Sequence, residues 1–272
     1  GYFVNVEMLF EWLAKHDCRV EWTLHDCWAF TGHCAYFTYV KCAQWKDRCA
    51  YSKPCSQLNT YPKTYSRVSC SWNFEQKKRV FNLVPAERMK LITPSQWLAN
   101  LVGESFLKGY PVEVRHNTID IDVFKPTPSN FRERYNIGDR FMVLGVASPW
   151  TVRKGLADFV RLAGELDSDK FAIVLVGLSE KQIKEMPEGI VGLARTDSRE
   201  ELAGIYSTAD LFFNPTTEDN FPTVNLEAEA CGTCVVTYDT GGCRETLSLA
   251  DSHVVNGYEQ GLALICGIGA KA

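Results

Sequence analysis

The sequence predicts an α/β protein built from two parallel-sheet domains. Three observations carry that expectation. The chain has 272 residues, enough for about two domains. Short apolar runs alternate with amphipathic stretches of helical period, the rhythm of strand–helix–strand units that place helices on both faces of a parallel sheet. Two such series are separated by a polar stretch at 117–139, where Pro126, Pro128 and Ser129 lie close together. This sets a first domain at 1–116, a linker at 117–139 and a second domain at 140–272.

Each element follows from its local pattern. Val6, Leu9, Phe10 and Leu13 recur at helical spacing and predict an amphipathic helix over 3–15. Residues 19–24 alternate and are rich in strand formers, which puts His25 at the carboxyl end of a strand. Residues 26–70 are aromatic, rich in cysteine and without period, so they are expected as a long insertion. A helix over 74–83, a strand over 89–93, a helix over 97–106 with Ser95 as N-cap, and a strand over 111–115 complete the first series. The second series runs strand 141–147, helix 156–163, strand 171–176, strand 190–193, helix 200–207, strand 211–213, helix 222–231 and strand 235–238. The chain closes on an apolar stretch at 262–268.

Composition excludes some partners. A net charge of -4 argues against nucleic acid. No apolar run approaches the roughly 20 residues of a membrane span. The chain opens on Gly1 inside a helical pattern, and both of its ends read as cuts through a larger protein. Of its 11 cysteines, seven lie between Cys18 and Cys70 and four between Cys231 and Cys266. An odd count without a secretory signal argues for a reducing compartment rather than a disulfide framework.

Four constellations carry candidate chemistry. The first is Ser148-Pro149-Trp150-Thr151-Val152-Arg153-Lys154-Gly155, joining a strand to a helix. Adjacent Arg153 and Lys154 before a helix N-terminus suit a phosphate, which the amides, the helix dipole and the guanidinium fork all favour; a solvated charge pair is the plainer reading. The second is Asp219 and Glu227, at a strand-to-helix handover. Eight helical steps span ~12 Å, whereas paired glycosidase carboxylates stand roughly 5 to 9.5 Å apart. The pair is therefore read as gripping two parts of one extended ligand, through vicinal hydroxyls. The third is His25-Asp26 at a strand end, either a polar site residue or a satisfied surface histidine. The fourth is Cys27, His33, Cys34, Cys42, Cys49 and Cys55 in the insertion. This set either folds around one zinc ion, with Cys34, Cys42, Cys49 and Cys55 as ligands, or consists of free buried thiols.

Several long motifs occur together in order: WTLHDCWAFTGHCAYF, TPSQWLA, SFLKGYPVEV, VASPWTVRKGL and NPTTEDNFPTVNLEAEACGTCVVTYDTGG. They resemble family-4 retaining glycosyltransferases of the GT-B fold, in the branch that builds bacterial exopolysaccharide and lipopolysaccharide, colanic-acid-type enzymes included. The resemblance implies two Rossmann-like domains whose parallel sheets face across a cleft, the first truncated here. It implies retaining transfer of a sugar from a nucleotide-diphosphate donor to a saccharide or lipid-linked saccharide hydroxyl, without metal at the catalytic centre. Arg153 and Lys154 match the basic pair that holds the diphosphate. Glu227 matches the second Glu of an E-x7-E motif, which binds the ribose. Asp219 falls on its first position, which contacts the donor sugar, while Asn220, Phe221 and Pro222 offer backbone to sugar and diphosphate. His25 matches a first-domain His at the reaction centre. A cytoplasmic location, with peripheral association at the inner face of the cytoplasmic membrane, follows from the lipid-linked acceptors usual in this branch. The sequence departs from the family at Thr118, at Cys234 and in the Cys49-x5-Cys55 spacing. The competing expectations are a sugar-nucleotide-binding fragment without turnover and another GT-B enzyme, such as a nucleotide-sugar epimerase or a phosphorylase.

Overall fold

The computed structural model describes residues 4–62 and 69–270. The chain divides into two compact units, Gly1–His116 and Asn117–Ala272.

The first unit is built on a three-stranded parallel sheet. Helix α1 (Val6–Lys15) is started by Asn5, whose side chain accepts from the Met8 amide. It leads to strand β1 (Val20–Thr23). An irregular segment follows, with 3-10 turns at Cys27–Phe30 and Gln44–Lys46. It is held by Phe30, Phe37 and Trp45, whose ring centroids lie 5.0 to 6.4 Å apart. Helix α2 (Ser69–Phe81), strand β2 (Met89–Thr93), helix α3 (Gln96–Glu104) and strand β3 (Val112–Val114) complete the unit. The sheet runs β1-β2-β3, with Val20 opposite Met89 and Leu91 opposite Val112. Phe10 of α1 packs between Trp22 and Phe81, with centroids at 5.2 and 4.9 Å, so one aromatic cluster joins helix to sheet.

One expectation shifts here. The insertion, expected to reach residue 70, gives way to α2 at Ser69, because Cys70 and Phe74 are buried on one helix face. Residues 63–68, the last part of that expected insertion before Ser69, lie outside the described residues.

The second unit is a six-stranded parallel sheet. Its elements are helix α4 (Phe131–Arg134), strand β4 (Phe141–Val146), helix α5 (Leu156–Glu165), strand β5 (Phe171–Val176), helix α6 (Glu180–Glu185), strand β6 (Ile190–Leu193) and helix α7 (Arg199–Thr208). Strand β7 (Leu211–Asn214), helix α8 (Thr223–Ala230), strand β8 (Val235–Tyr238), strand β9 (His253–Val255) and helix α9 (Tyr258–Gly269) follow. Residues 117–139, expected as a linker, pack Phe124, Phe131 and Ile137 into the core of this unit.

Strand order is β6-β5-β4-β7-β8-β9. In order of appearance that is third, second, first, fourth, fifth, sixth, the order of dinucleotide-binding sheets. Met142 and Leu144 face one apolar layer, and Val143 the other. Burial on both faces explains why β4 and β5 read as near-continuous apolar runs. The chain reverses direction across the sheet between β4 and β7, so the helices that follow these two strands, α5 and α8, pack on opposite faces and leave a crevice at the strands' carboxyl ends. In open α/β sheets this is where ligands bind.

Candidate active site

Two loops meet at that point. The first leaves β4 at Val146 and carries Arg153 and Lys154 on a 3-10 turn over Val152–Lys154. Buried Trp150 pins its start by donating from Nε1 to the Val176 carbonyl, 2.9 Å away. The second leaves β7 at Asn214 and carries Asp219 to Pro222 into α8.

Backbone bonds lock the loops together. The Arg153 carbonyl accepts from the Thr217 amide at 2.9 Å and from the Thr216 hydroxyl at 3.2 Å. Gly155 sits at φ 76°, and a Cβ there would lie 2.4 Å from the Pro215 carbonyl oxygen, so this contact demands glycine. A third loop, after β8, closes the other side. Thr240 donates to the Thr216 carbonyl at 2.7 Å and Gly242 donates from its amide to the Asp219 carbonyl at 2.9 Å. A Cβ on Gly241, at φ 57°, would fall 1.8 Å from that same oxygen.

This scaffold brings three charges together. Lys154 Nζ lies 2.6 Å from Asp219 Oδ2, and an Arg153 nitrogen lies 3.6 Å from it. The Arg153 guanidinium also donates to the Glu218 carbonyl. The side chains of Arg153, Lys154 and Asp219 are 18%, 22% and 14% exposed, so the charges are largely out of water and interact strongly. Asp219, matched in sequence to a donor-sugar contact, is here engaged by the two cations. Lys154 and Arg153 thus face one carboxylate side by side, at the mouth of a helix, an arrangement of cations that suits a phosphate.

Helix α8 begins just beyond. Pro222 holds its cap position, and no side chain caps it. Its first-turn amides favour an anion. Asn220 and Phe221 are buried. A buried chain of polar groups fixes the helix against the sheet: Asn214 donates to Asn225 at 2.8 Å, and Asn225 donates to Thr246 at 2.9 Å. Sequence reasoning passed over Asn225, Thr246 and Gly241; an asparagine on the helix face that also carries buried Ala228 was the available signal.

Glu227 lies on α8 and accepts from the Tyr206 hydroxyl at 3.1 Å. Burial pushes its carboxyl above the usual carboxylate range, and the Tyr206 hydrogen bond opposes part of that rise. A half-buried carboxylate with one hydrogen bond keeps lone pairs for further donors.

His25 belongs to the first unit, exposed at the carboxyl end of β1. Asp26 accepts from the Trp28 amide at 2.7 Å and so starts the turn that follows. Lys77 of α2 donates to the carbonyls of Trp28 and Thr31 at 2.6 and 2.9 Å, fixing the same turn from below. Burial pushes the Lys77 amine down to about 7.

Cys34, Cys42, Cys49 and Cys55 line one small cavity, together with Cys70 and His33. The hydrogen bond with Cys34 lowers the Cys55 thiol, while burial raises Cys49 to about 12. Among the described residues no three His, Cys, Asp or Glu side chains are placed to hold a metal ion.

Comparison with known proteins agrees with this architecture. Residues 140–263 match the family model described as "Glycosyl transferases group 1". Among curated relatives, N,N'-diacetylbacillosaminyl-diphospho-undecaprenol alpha-1,3-N-acetylgalactosaminyltransferase of Campylobacter jejuni is 28% identical over 155 residues, 55% of this chain and 38% of that protein. The putative colanic acid biosynthesis glycosyl transferase WcaC of Escherichia coli is 32% identical over 127 residues, 44% of this chain and 29% of that protein. The chain thus spans well under half the length of these two relatives. Among solved structures, Anabaena Alr3699/HepE in complex with UDP aligns with TM-score 0.65 and 15% identity, over 96% of this chain and 71% of that one. Sucrose-phosphate synthase from Thermosynechococcus elongatus aligns with TM-score 0.61 and 20% identity, over 72% of this chain and 53% of that one. The chain has the α/β GT-B fold of these structures, and its residues 140–263 are similar to the glycosyl transferases group 1 family.

Proposed function

We propose that this protein transfers a sugar, with retention, from a nucleotide-diphosphate donor to a hydroxyl acceptor on a lipid-linked or growing saccharide in cell-surface polysaccharide synthesis. The observation that carries this reading is the convergence of Arg153, Lys154 and the uncapped start of α8 at the switch point between β4 and β7. The diphosphate takes the two cations, and Lys154 exchanges Asp219 for a phosphate oxygen. Asp219, released, accepts from hydroxyls of the donor sugar. Glu227 accepts from the ribose hydroxyls. Backbone at Asn220, Phe221 and Pro222 borders the sugar and diphosphate.

In the reaction the bond from the sugar C1 to the phosphate oxygen breaks. The acceptor oxygen bonds to C1 from the same face, and the acceptor's proton passes to the departing phosphate. The charge that develops on the leaving group is stabilised by cations already in place, without reorganisation at the moment of reaction. The family resemblance proposes a polar role in the reaction for His25, and the proposal invokes no metal at the catalytic centre. The names of the relatives support a lipid-linked acceptor: the Campylobacter enzyme acts on a diphospho-undecaprenol and an Acholeplasma laidlawii relative is a processive diacylglycerol alpha-glucosyltransferase. Solved HepE complexes with UDP-glucose and UDP support the donor class. No described helix is long and apolar enough to cross a membrane. The lipid-linked substrates in the relatives' names support peripheral action at the inner face of the cytoplasmic membrane as the proposed place of action.

The test is a donor screen followed by turnover, with Lys154→Ala and His25→Ala as variants. Donor hydrolysis or transfer that depends on both residues supports the reading. Unchanged turnover in both variants overturns the residue assignment. A second reading is sugar-nucleotide binding without turnover. Binding without hydrolysis or transfer would select it.

A further inference from the structure

The irregular segment of the first unit gathers chemistry that sugar transfer does not use. Cys34, Cys42, Cys49, Cys55 and Cys70 line one cavity of about 10 Å³ together with His33 and Gln44. That is room for one water-sized occupant. The Cys55 thiol is hydrogen-bonded to both Cys34 and Cys70, which joins the segment to α2.

Two polar atoms of the lining are buried without a partner: Nε2 of His33 and Oε1 of Gln44. His33 is only 7% exposed. An orphaned buried polar atom costs about 1–3 kcal/mol, and native structures rarely leave one. Water answers the need poorly, since thiols are weak partners and a buried water takes two to four good ones. A soft cation suits the lining better. Thiolate and imidazole donors select zinc-like ions, and a cavity of one atom's size excludes an iron–sulfur cluster.

The thiols are not yet arranged as a closed cage. A cysteine sulfur moves by rotation about a single bond, between staggered positions. Sulfurs that already border so small a space can reach a common centre in this way, and each one that coordinates gives its proton to solvent.

We propose that this cavity is a structural site for one zinc-class divalent cation, with Cys34 and Cys55 as ligands and the remaining positions filled from Cys42, Cys49, Cys70 and His33. The ion ties the irregular segment to α2. It adds to the packing of Phe30, Phe37 and Trp45 in fixing the shape of this segment, because the binding free energy of a structural metal is folding free energy.

The experiment uses the whole chain, purified under reducing conditions. Elemental analysis should give about one zinc per chain, as a single closed site requires. Cobalt added to metal-stripped protein should produce sulfur-to-metal charge-transfer bands and the visible bands of a tetrahedral centre. Zinc added back to stripped wild-type protein should raise its melting temperature. Cys34→Ser and Cys55→Ser should each abolish the cobalt spectrum, while Cys18→Ser, outside the cavity, should leave it intact. Should either cavity variant fail to fold, the wild-type metal content and the zinc-dependent melting shift decide alone. A folded, reduced wild-type chain with no bound metal, no cobalt spectrum and no melting shift overturns the proposal. So does a cobalt spectrum unchanged in both variants.

Discussion

Replacing Lys154 by alanine removes one of the two cations on which the proposed donor binding rests. The size of the effect can be worked from the geometry. Lys154 and Arg153 share the Asp219 carboxylate at 2.6 and 3.6 Å, in a largely buried setting. At an effective dielectric near 20, a unit pair about 4 Å apart interacts by about 4 kcal/mol. A phosphate oxygen that displaces Asp219 gains this term, but Lys154 forfeits its existing partner. Asp219 keeps Arg153 nearby, so roughly half of the gross term survives, ~2 kcal/mol or ~30-fold in Kd. The departing phosphate gains further charge in the transition state, so the loss in kcat/KM should reach about 2–4 kcal/mol. Titration calorimetry with UDP and GDP reads the first number, and donor turnover reads the second. The single variant also leaves Asp219 facing the diphosphate with one cation fewer. Lys154→Ala with Asp219→Asn should therefore bind nucleotide more tightly than Lys154→Ala alone, a coupling that a double-mutant cycle isolates. A folded Lys154→Ala protein that binds nucleotide like wild type would refute the reasoning.

Three further outcomes are expected. Glu227→Gln should weaken nucleotide binding more than it slows turnover; the reverse would move Glu227 to the reacting atoms. Because the folded Glu227 pKa is raised, the native state holds that proton more tightly than the unfolded chain, and its contribution to stability declines as pH rises through the folded value. Glu227→Gln should thus melt higher than wild type at pH 7, with a smaller difference at pH 4; equal melting at both would contradict the burial argument. For Lys77 the folded pKa of about 7 lies below the unfolded value. The unfolded chain therefore binds more protons between about 7 and 10.4, and stability should rise with pH across that window. Lys77→Met should flatten that slope in denaturant titrations, and a slope equal to wild type would count against it. Gly241→Ala combines backbone strain of about 1–2 kcal/mol with a contact no side chain tolerates. It should lower the melting temperature and weaken UDP binding together; an unperturbed Kd would show that the loop after β8 does not set the site.

The strands of the second unit were legible because sheets covered on both faces announce themselves as apolar runs, as β4, β5, β7 and β8 do. The missed elements lack that signal. Helix α6 buries no residue, and only its Ser179–Gln182 capping box marks it. Strand β9 is three residues long and starts at exposed His253. Helix α9 was visible only as an apolar stretch, since its buried positions Gly261 and Ile265 give a narrow stripe. In the site, the loop positions of Arg153, Lys154 and Asp219 and the helical position of Glu227 could be read from local pattern. The pairing of Lys154 with Asp219 could not, because it joins residues 65 apart and depends on β4 lying beside β7. The clustering of Cys70 and His33 with the other thiols depends likewise on how α2 packs against the preceding segment, which carries no period to read.

The most direct test of the central claim is calorimetric titration of the intact chain with UDP and with GDP, free of added metal. Saturable one-to-one binding of at least one of them, weakened about 30-fold in Lys154→Ala, is the predicted result. No binding of either nucleotide at millimolar concentration to a folded chain would contradict it.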